Sequence, residues 1–277
     1  MNRFLYSLVL YFSIPFAIFR LLIKDTHDAS WTRKLKNQFG IVEKIPGRVI
    51  WTHCVSVGEF NASKPLIQKL MSQYPNHQIV ISTSTITGFN AVNNYYKNNV
   101  KHCFFPFDIP IILGSFIRKI NPEICILLET EIWPNLIHIL KKKNIPTALI
   151  NARLSDKSFQ RYDKYSAKLV KASLNNLSLI CAQNSFSSDR FISLGASQEK
   201  MITTGSLKFD SDNTIDDKSI KTLKKIIGDR KITVFASTRE GEEKQIIKSY
   251  INSADNINSL LIIIPRHPER FNEVFKL

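Results

Sequence analysis

The stretch Trp51-Thr-His-Cys-Val-Ser-Val-Gly-Glu-Phe60 determines how the rest of the chain is interpreted. Val49 to Val55 is largely β-branched or apolar and contains no strand breaker, which is typical of a buried strand. Ser56 and Gly58 then predict a turn, and Glu59 opens the next segment. Because α/β folds bind ligands outside the carboxyl ends of their strands, we expect Glu59 on the rim of a cleft. The alternative is that Glu59 only complements the dipole of its helix.

The same alternation of strand and helix continues through the chain after this stretch. Short apolar runs without breakers are separated by segments with helical periodicity. This alternation predicts an α/β fold with a parallel sheet that is covered by helices on both faces. The further predicted strands are Ile79–Ser84, Val100–Phe105, Ile124–Leu128, Thr147–Ile150 and Leu177–Ala182.

Polar side chains follow the predicted strands, at the points where each strand ends. The residues concerned are Ser56–Glu59, Ser82–Thr85, Asp108, Glu129 with Glu131, Asn151 with Arg153, and Gln183 with Ser185. Parallel strands end at one edge of a sheet, so these side chains are predicted to line one crevice. Two carboxylates in one cleft can differ in pKa and divide the roles of proton acceptor and charge stabiliser. The alternative for Glu129 and Glu131 is that they cap the helix near Pro134.

The composition limits the class of partner and the compartment. The 277 residues carry 38 Lys and Arg against 23 Asp and Glu, a net charge of +15, which favours an anionic partner. No nucleic-acid-binding signature is present, so we predict no nucleic-acid partner. The four cysteines lie in or beside apolar runs and are predicted to be buried thiols in a reducing compartment. His53 and His102 have no metal-ligand spacing, and we predict no metal site and no cofactor.

The N-terminus is predicted to be a membrane anchor, residues 1–24. Phe4 to Ile23 is almost entirely apolar or aromatic and long enough to cross a hydrocarbon core of about 30 Å. Basic residues are denser after this segment than before it, which leaves the bulk of the protein on the cytoplasmic side. Pro15 and Arg20 favour a second interpretation, a helix lying in the membrane interface. A third is a buried helix of the soluble domain.

A polar segment, Asp210–Asp217, predicts a linker between an N-terminal domain, residues 25–210, and a second α/β segment, residues 211–277. Lys208 lies just before this linker and is a candidate phosphate ligand. Arg266 and His267 follow a predicted strand and precede Pro268, which suits the first turn of a helix. The free N–H groups of such a turn favour anions, so these two residues are candidates for a phosphate site. The alternative is ordinary capping at the surface.

Six motifs in order closely resemble those of the 3-deoxy-D-manno-octulosonic acid (Kdo) transferases of lipopolysaccharide synthesis. The resemblance covers essentially the whole chain, and each motif alone is weak. The motifs are Ser56-Val-Gly-Glu59, Glu129-Thr-Glu-Ile-Trp-Pro-Asn135, Asn151-Ala-Arg-Leu-Ser155, Thr204-Gly-Ser-Leu-Lys-Phe-Asp210, Ala236-Ser-Thr-Arg-Glu-Gly-Glu242 and Pro265-Arg-His-Pro-Glu-Arg270.

The resemblance implies a GT-B glycosyltransferase with two Rossmann-like domains, of which the second is incomplete here, preceded by the hydrophobic helix. It implies an inverting, metal-independent enzyme with CMP-Kdo as donor and lipid IVA as acceptor, at the cytoplasmic face of the inner membrane. Glu59 matches the family's base, and Glu129 and Lys208 match groups that assist the transition state. The other motif residues expected to bind substrate are Ser56, Gly58, Glu131, Arg153, Arg266 and His267.

One departure from the family bears on activity. The glycine-rich and Asn/Glu motifs that complete the family's CMP pocket are not among the 277 residues. We therefore expect the 277-residue chain alone to transfer Kdo poorly or not at all. Two alternatives remain at this point: a catalytically impaired, membrane-tethered acceptor-binding domain, and a GT-B enzyme that uses another nucleotide sugar.

Overall fold

The structure is a computed structural model that describes residues 1–24, 30–210, 217–253 and 258–277. The chain forms two compact units, Met1–Asp212 and Asn213–Leu277. Residues 211–216 of the predicted linker lie outside the described residues. The predicted functional division into residues 1–24, 25–210 and 211–277 stays a prediction.

The first unit contains a seven-stranded sheet in which all neighbouring strands run parallel. The strand order is β3-β2-β1-β4-β5-β6-β7, which is the order of a doubly wound nucleotide-binding sheet with one further strand. The predicted α/β fold with a parallel sheet is therefore confirmed. The strands are β1 Arg48–His53, β2 His77–Thr83, β3 Lys101–Phe104, β4 Pro122–Leu128, β5 Thr147–Ala152, β6 Leu179–Ala182 and β7 Met201–Thr203.

Helices cover both faces of this sheet because successive strand residues point to opposite sides. Trp51 and Leu127 pack in a buried cluster with Phe116, whereas Ile50 and Ile126 belong to a second cluster with Phe60. The cysteines are free thiols as predicted, and only Cys181 is partly exposed. The helices are α1 Arg3–Lys24, α2 Trp31–Gln38, α3 Val57–Gln73, α4 Ile86–Tyr96, α5 Pro110–Ile120, α6 Pro134–Lys142, α7 Asp156–Asn176 and α8 Ser185–Ser193.

Asp108, from the loop after β3, satisfies the amino end of α6. Its carboxylate accepts hydrogen bonds from the backbone N–H groups of Asn135 at 3.1 Å and Leu136 at 2.8 Å. The proposed capping of α6 by Glu129 and Glu131 is therefore wrong, because a carboxylate distant in sequence occupies that place. Burial raises the pKa of Asp108 to about 7, although its hydrogen bonds oppose the shift.

Asp108 also holds α1 against the rest of the first unit. The hydroxyl of Tyr6 donates to its Oδ2 at 2.9 Å, and Ser7 donates to the side-chain oxygen of Asn135 at 3.0 Å. Among the residues whose placement the structure describes, no helix is both long and apolar enough to cross a membrane.

Replacement of Asp108 by alanine is expected to lower the free energy of unfolding by about 2–4 kcal/mol, since it leaves two backbone donors and a buried hydroxyl without their acceptor. Chemical denaturation followed by tryptophan fluorescence measures the loss. Glu123→Ala is the control, because Glu123 forms a surface ion pair with Arg48 and should cost less than about 1 kcal/mol. Equal losses in the two variants would contradict this role for Asp108.

The second unit contains a two-stranded parallel sheet flanked by helices. Its best-defined polar contact is the pairing of Arg270 with the carboxylate of Glu243, through nitrogens at 2.8 and 3.2 Å from its two oxygens. The strand predicted before Arg266 is present as β9. The elements are α9 Asp217–Ile227, β8 Lys231–Thr238, α10 Glu242–Ile251, β9 Ser259–Pro265 and α11 Phe271–Phe275.

Candidate active site at the switch point of the sheet

The candidate site lies where β1 and β4 are neighbours in the first sheet. The chain leaves β1 toward β2 on one side and resumes at β4 on the other, so the order of the strands reverses between them. The crevice outside the carboxyl ends of two such strands is the usual ligand site of doubly wound sheets. Glu59 follows β1, and Glu129 and Glu131 follow β4.

Glu59 lies in the first turn of α3 and folds back over the end of β1. Its Oε2 accepts a hydrogen bond from the backbone N–H of Val55 at 2.6 Å, and its residue is only 9 % exposed. Ser56 is the N-cap of α3, so the helix begins one residue after the strand-end loop. The predicted turn at Gly58 is wrong, because Gly58 is already helical.

The surroundings of Glu59 favour its protonated form more than water does. Burial raises its pKa to about 7 against the hydrogen bond from Val55, and the charges of Glu131 and Glu129 add to the rise. A carboxylate whose pKa lies close to neutrality is well matched to accept a proton in general base catalysis. Because the charges of Glu129 and Glu131 act on Glu59, the structure brings the three predicted glutamates into one neighbourhood.

Glu131 is a second carboxyl group of the site and is partly buried. Its Oε2 accepts a hydrogen bond from Trp133 Nε1 at 2.8 Å. Burial raises its pKa to about 7, with a smaller contribution from Glu129, while the bond from Trp133 opposes the rise. Glu59 and Glu131 repel each other when both are ionised, so they titrate as a coupled pair.

Two residues at the ends of β4 and β5 have left-handed backbone conformations. Glu129 has φ 57° and Asn151 has φ 52°. Such angles are uncommon outside glycine and cluster at functional sites, where surrounding contacts hold them. The N–H of Glu129 donates to the carbonyl of Ile150 at 3.0 Å, which fixes its loop against β5.

Asn151 positions the short turn that carries Lys208. Its Oδ1 accepts a hydrogen bond from the N–H of Leu207 at 3.1 Å, and the Leu207 side chain packs against the cluster that contains Phe60 of α3. Lys208 and Arg153 are exposed at this edge of the sheet. The backbone oxygen of Arg153 accepts a hydrogen bond from Thr130 of the Glu129–Glu131 loop.

Gly58 is a glycine that the described part of the chain does not require. Its φ is not positive, and an added Cβ would meet only the Ser56 hydroxyl, at 3.8 Å. A helical glycine costs about 1 kcal/mol relative to alanine. Because Gly58 has no side chain, a ligand has room to approach the backbone closely at the start of α3.

Arg266 and His267 lie in the second unit, directly after β9. The N–H of Arg266 donates to the carbonyl of Thr238 at 3.0 Å, and His267 precedes a three-residue 3-10 turn that begins at Pro268. His267 Nδ1 lies 3.8 Å from the carboxylate of Glu269. Their predicted role in phosphate binding stays a prediction.

His53 is the residue of the site that the sequence patterns did not indicate. It is fully buried at the end of β1 and stacks on Phe105, with ring centroids 3.9 Å apart. Its spacing from other histidines excludes a metal-ligand pair, but a histidine inside an apolar strand that ends at a cleft is itself a signal of a functional site. Among the described residues, no group of three or more His, Cys, Asp and Glu is placed to hold a metal ion.

Comparison with known proteins decides the family. A family model described as 3-deoxy-D-manno-octulosonic-acid transferase (kdotransferase) matches residues 33–211, more than half of the chain. The chain belongs to the Kdo transferase family. This membership confirms the resemblance seen in the six sequence motifs.

Among the family's members, the 3-deoxy-D-manno-octulosonic acid transferase of Haemophilus influenzae is 38 % identical over 100 % of this chain and 66 % of its own length. A probable mitochondrial 3-deoxy-D-manno-octulosonic acid transferase of Arabidopsis thaliana is 30 % identical, over 90 % of this chain and 56 % of its own. The chain thus spans less than two thirds of the length of these relatives.

Solved structures of low identity share the fold. A UDP-GlcNAc 2-epimerase from Neisseria meningitidis has a TM-score of 0.57 at 14 % identity, covering 83 % of this chain and 67 % of its own. A putative UDP-N-acetylglucosamine 2-epimerase from Listeria monocytogenes has a TM-score of 0.55 at 11 % identity, over 82 % of this chain and 65 % of its own.

Proposed function

We propose that the gene product carrying this chain is an inverting glycosyltransferase that moves Kdo from CMP-Kdo to lipid IVA, in lipopolysaccharide synthesis. Family membership supports Kdo transfer as the reaction class. The observation that carries the mechanism is Glu59, a nearly buried carboxyl group with a pKa raised to about 7 at the switch point. We further propose a GT-B arrangement in which the second unit contributes to the donor domain.

In the proposed step, the acceptor hydroxyl gives its proton to Glu59 while its oxygen attacks the anomeric carbon of Kdo. The bond from that carbon to the phosphate oxygen of CMP breaks, and CMP leaves with the electron pair. Attack from the face opposite the leaving group inverts the anomeric centre. The positive charge that develops on the sugar is stabilised by a nearby carboxylate, a role that we assign to Glu129.

The departing phosphate needs cationic and N–H partners. We assign Lys208 to this task, together with Arg266 and His267 of the second unit. Ser56 and Gly58 leave the start of α3 open to a sugar, and Arg153 adds a cation at the same edge of the sheet.

The proposed place of action is the cytoplasmic face of the inner membrane. One side of α1 exposes a stripe of phenylalanines at helical spacing, of which Phe4 and Phe12 are each 77 % exposed and Phe16 is 69 % exposed. On the other side of α1, Tyr6 donates a hydrogen bond to Asp108 and Ser7 donates one to Asn135. A helix with one apolar face and a net charge of +15 on the chain suit an anionic membrane interface.

Vesicle flotation tests this location. The protein should float with vesicles that contain anionic lipid, and a Phe12→Ser/Phe16→Ser double variant should remain largely in the soluble fraction. Undiminished flotation of the double variant would contradict membrane binding through α1.

The function is tested by incubating the gene product with CMP-Kdo and lipid IVA and measuring released CMP and the mass of the lipid. A gain of Kdo that matches the CMP released supports the proposal. Binding of lipid IVA without CMP release would instead favour an acceptor-binding domain without catalysis. Stronger competition by UDP than by CMP would favour a different nucleotide sugar.

A further inference from the structure

His53 has one ring nitrogen that is satisfied and one that is not. Its Nδ1 lies 3.0 Å from the backbone carbonyl of Ser82 and 2.9 Å from the Ser82 hydroxyl. Its Nε2 is buried and has no hydrogen-bond partner among the described residues. The nearest acid faces this nitrogen, with Glu131 Oε2 at 3.9 Å.

The contacts of Nδ1 assign the tautomer of His53. A carbonyl oxygen only accepts hydrogen bonds, so Nδ1 carries the hydrogen and donates it to Ser82. Nε2 therefore presents a lone pair toward Glu131. Complete burial lowers the pKa of His53 to about 3, so the ring stays neutral at physiological pH.

The lone pair on Nε2 repels an ionised carboxylate, whereas it accepts a hydrogen bond from a protonated carboxylic acid. An ionised Glu131 has no hydrogen to give, and Nε2 would stay unpaired at the cost of a buried polar atom without a partner. A protonated Glu131 can donate to Nε2 after a movement of about 1 Å that brings the two atoms to hydrogen-bond distance. Its side chain is 18 % exposed, which leaves room for this adjustment.

We propose that His53 is a positioning residue that accepts a hydrogen bond from a protonated Glu131, so that Glu131 works as a neutral acid beside Glu59. The inference rests on the proposed function, since it assigns a state to a group beside the proposed base. The protonated Glu131 adds no negative charge to the site, and hydrogen bonds with Trp133 and His53 hold its carboxyl group in place. Glu59 is left as the carboxyl group that takes the acceptor's proton.

The groups that face Glu131 come from every element around it. His53 approaches from β1, Glu59 from α3 and Glu129 from the same loop, and Tyr162 interacts with it from α7. The two other carboxylates disfavour ionisation of Glu131. Loss of the acceptor on His53 makes ionisation of Glu131 easier, and the new negative charge then makes Glu59 harder to ionise.

Variants of His53 and Glu131 affect the pH profile differently. In His53→Phe, which keeps a ring against Phe105, the acidic limb of kcat/KM should shift to higher pH by about half a unit to one unit. In Glu131→Gln, the limb should stay within about 0.3 unit of the wild-type position, because a neutral amide replaces an acid that is already neutral. His102→Phe is the matched control, since His102 is also largely buried and stacks on Phe89 at 4.1 Å.

Rescue by the conservative variant gives a second comparison. The side-chain amide that Glu131→Gln introduces can donate a hydrogen bond to His53 Nε2, as a protonated Glu131 would. Glu131→Gln should therefore retain at least about ten times the kcat/KM of Glu131→Leu. A Glu131→Gln variant as inactive as Glu131→Leu, or a His53→Phe profile identical to that of His102→Phe, would overturn the proposal.

Nitrogen NMR of the wild-type protein tests the same point without turnover. At neutral pH, Nε2 of His53 should carry no hydrogen and should show the shift of a hydrogen-bonded acceptor, which is lost in Glu131→Leu. A shift unaffected by Glu131→Leu would overturn the pairing, whether or not the protein transfers Kdo. Failure of the transfer assay with an intact NMR signature would instead count against the proposed function alone.

Discussion

Replacement of Glu59 by glutamine is expected to lower kcat/KM for Kdo transfer by about 10³-fold, near the middle of the range for loss of a general base. Glutamine keeps the shape of the side chain, and its amide oxygen can still accept the hydrogen bond that the N–H of Val55 now gives to Glu59. The variant should therefore fold normally and lose only the ability to take a proton. Released CMP, measured with saturating CMP-Kdo and with lipid IVA below its KM, gives kcat/KM for the acceptor.

Two comparisons make the Glu59 result specific. Glu123→Gln should keep the wild-type rate, because Glu123 lies on the surface in a pair with Arg48 at the amino end of β4. Binding of lipid IVA to Glu59→Gln should stay within about threefold of wild type, since the charge lost is used in the transition state. A rate within a factor of ten of wild type would exclude Glu59 as the base.

The second large effect is expected from Lys208→Ala, which should lower kcat by about 10²-fold through loss of a cationic partner for the departing phosphate. The turn that carries Lys208 is held by the bond from Leu207 to Asn151 and by the burial of Leu207, so its backbone should not move in the variant. Single-turnover measurements of CMP release separate this loss from product dissociation.

Lys141→Ala is the control for Lys208, because Lys141 is also exposed but lies near the end of α6. It removes the same positive charge from the protein and should leave kcat unchanged. If both variants lose activity equally, the effect comes from net charge. If neither does, Lys208 has no role in the transition state.

The strands around the site could be predicted because each is a short apolar run that ends in a polar cluster. Val49 to Val55 and Ile124 to Leu128 are such runs, and β1 and β4 follow them closely. The short β7, with only three residues, has no such run and was not predicted. The eight-residue helix α2 was not predicted either, because its mostly polar sequence contains only two apolar residues, Trp31 and Leu35.

Contacts between residues distant in sequence could not be predicted from local patterns. The cap of α6 is one example, since Glu129 and Glu131 are nearer in sequence, yet Asp108 accepts the hydrogen bonds of its first backbone N–H groups. The left-handed backbone of Glu129 is another, because no propensity of glutamate indicates that conformation. The pairing of His53 with Glu131 likewise depends on β1 and β4 being neighbours.

Membership of a family and position in a fold contribute different parts of the assignment. The motif order predicts which residues act, whereas the sheet order explains why the loops after β1 and β4 lie side by side. Burial and the neighbouring charges then explain why Glu59 holds its proton more tightly than an exposed glutamate does.

The pH dependence of kcat/KM tests most directly the claim that Glu59 is the base. The account predicts a rate that rises with pH through an apparent pKa of about 7, and a Glu59→Gln variant whose residual rate lacks this limb. A limb centred near the ordinary glutamate value of 4.5, or one that persists unchanged in Glu59→Gln, would contradict it.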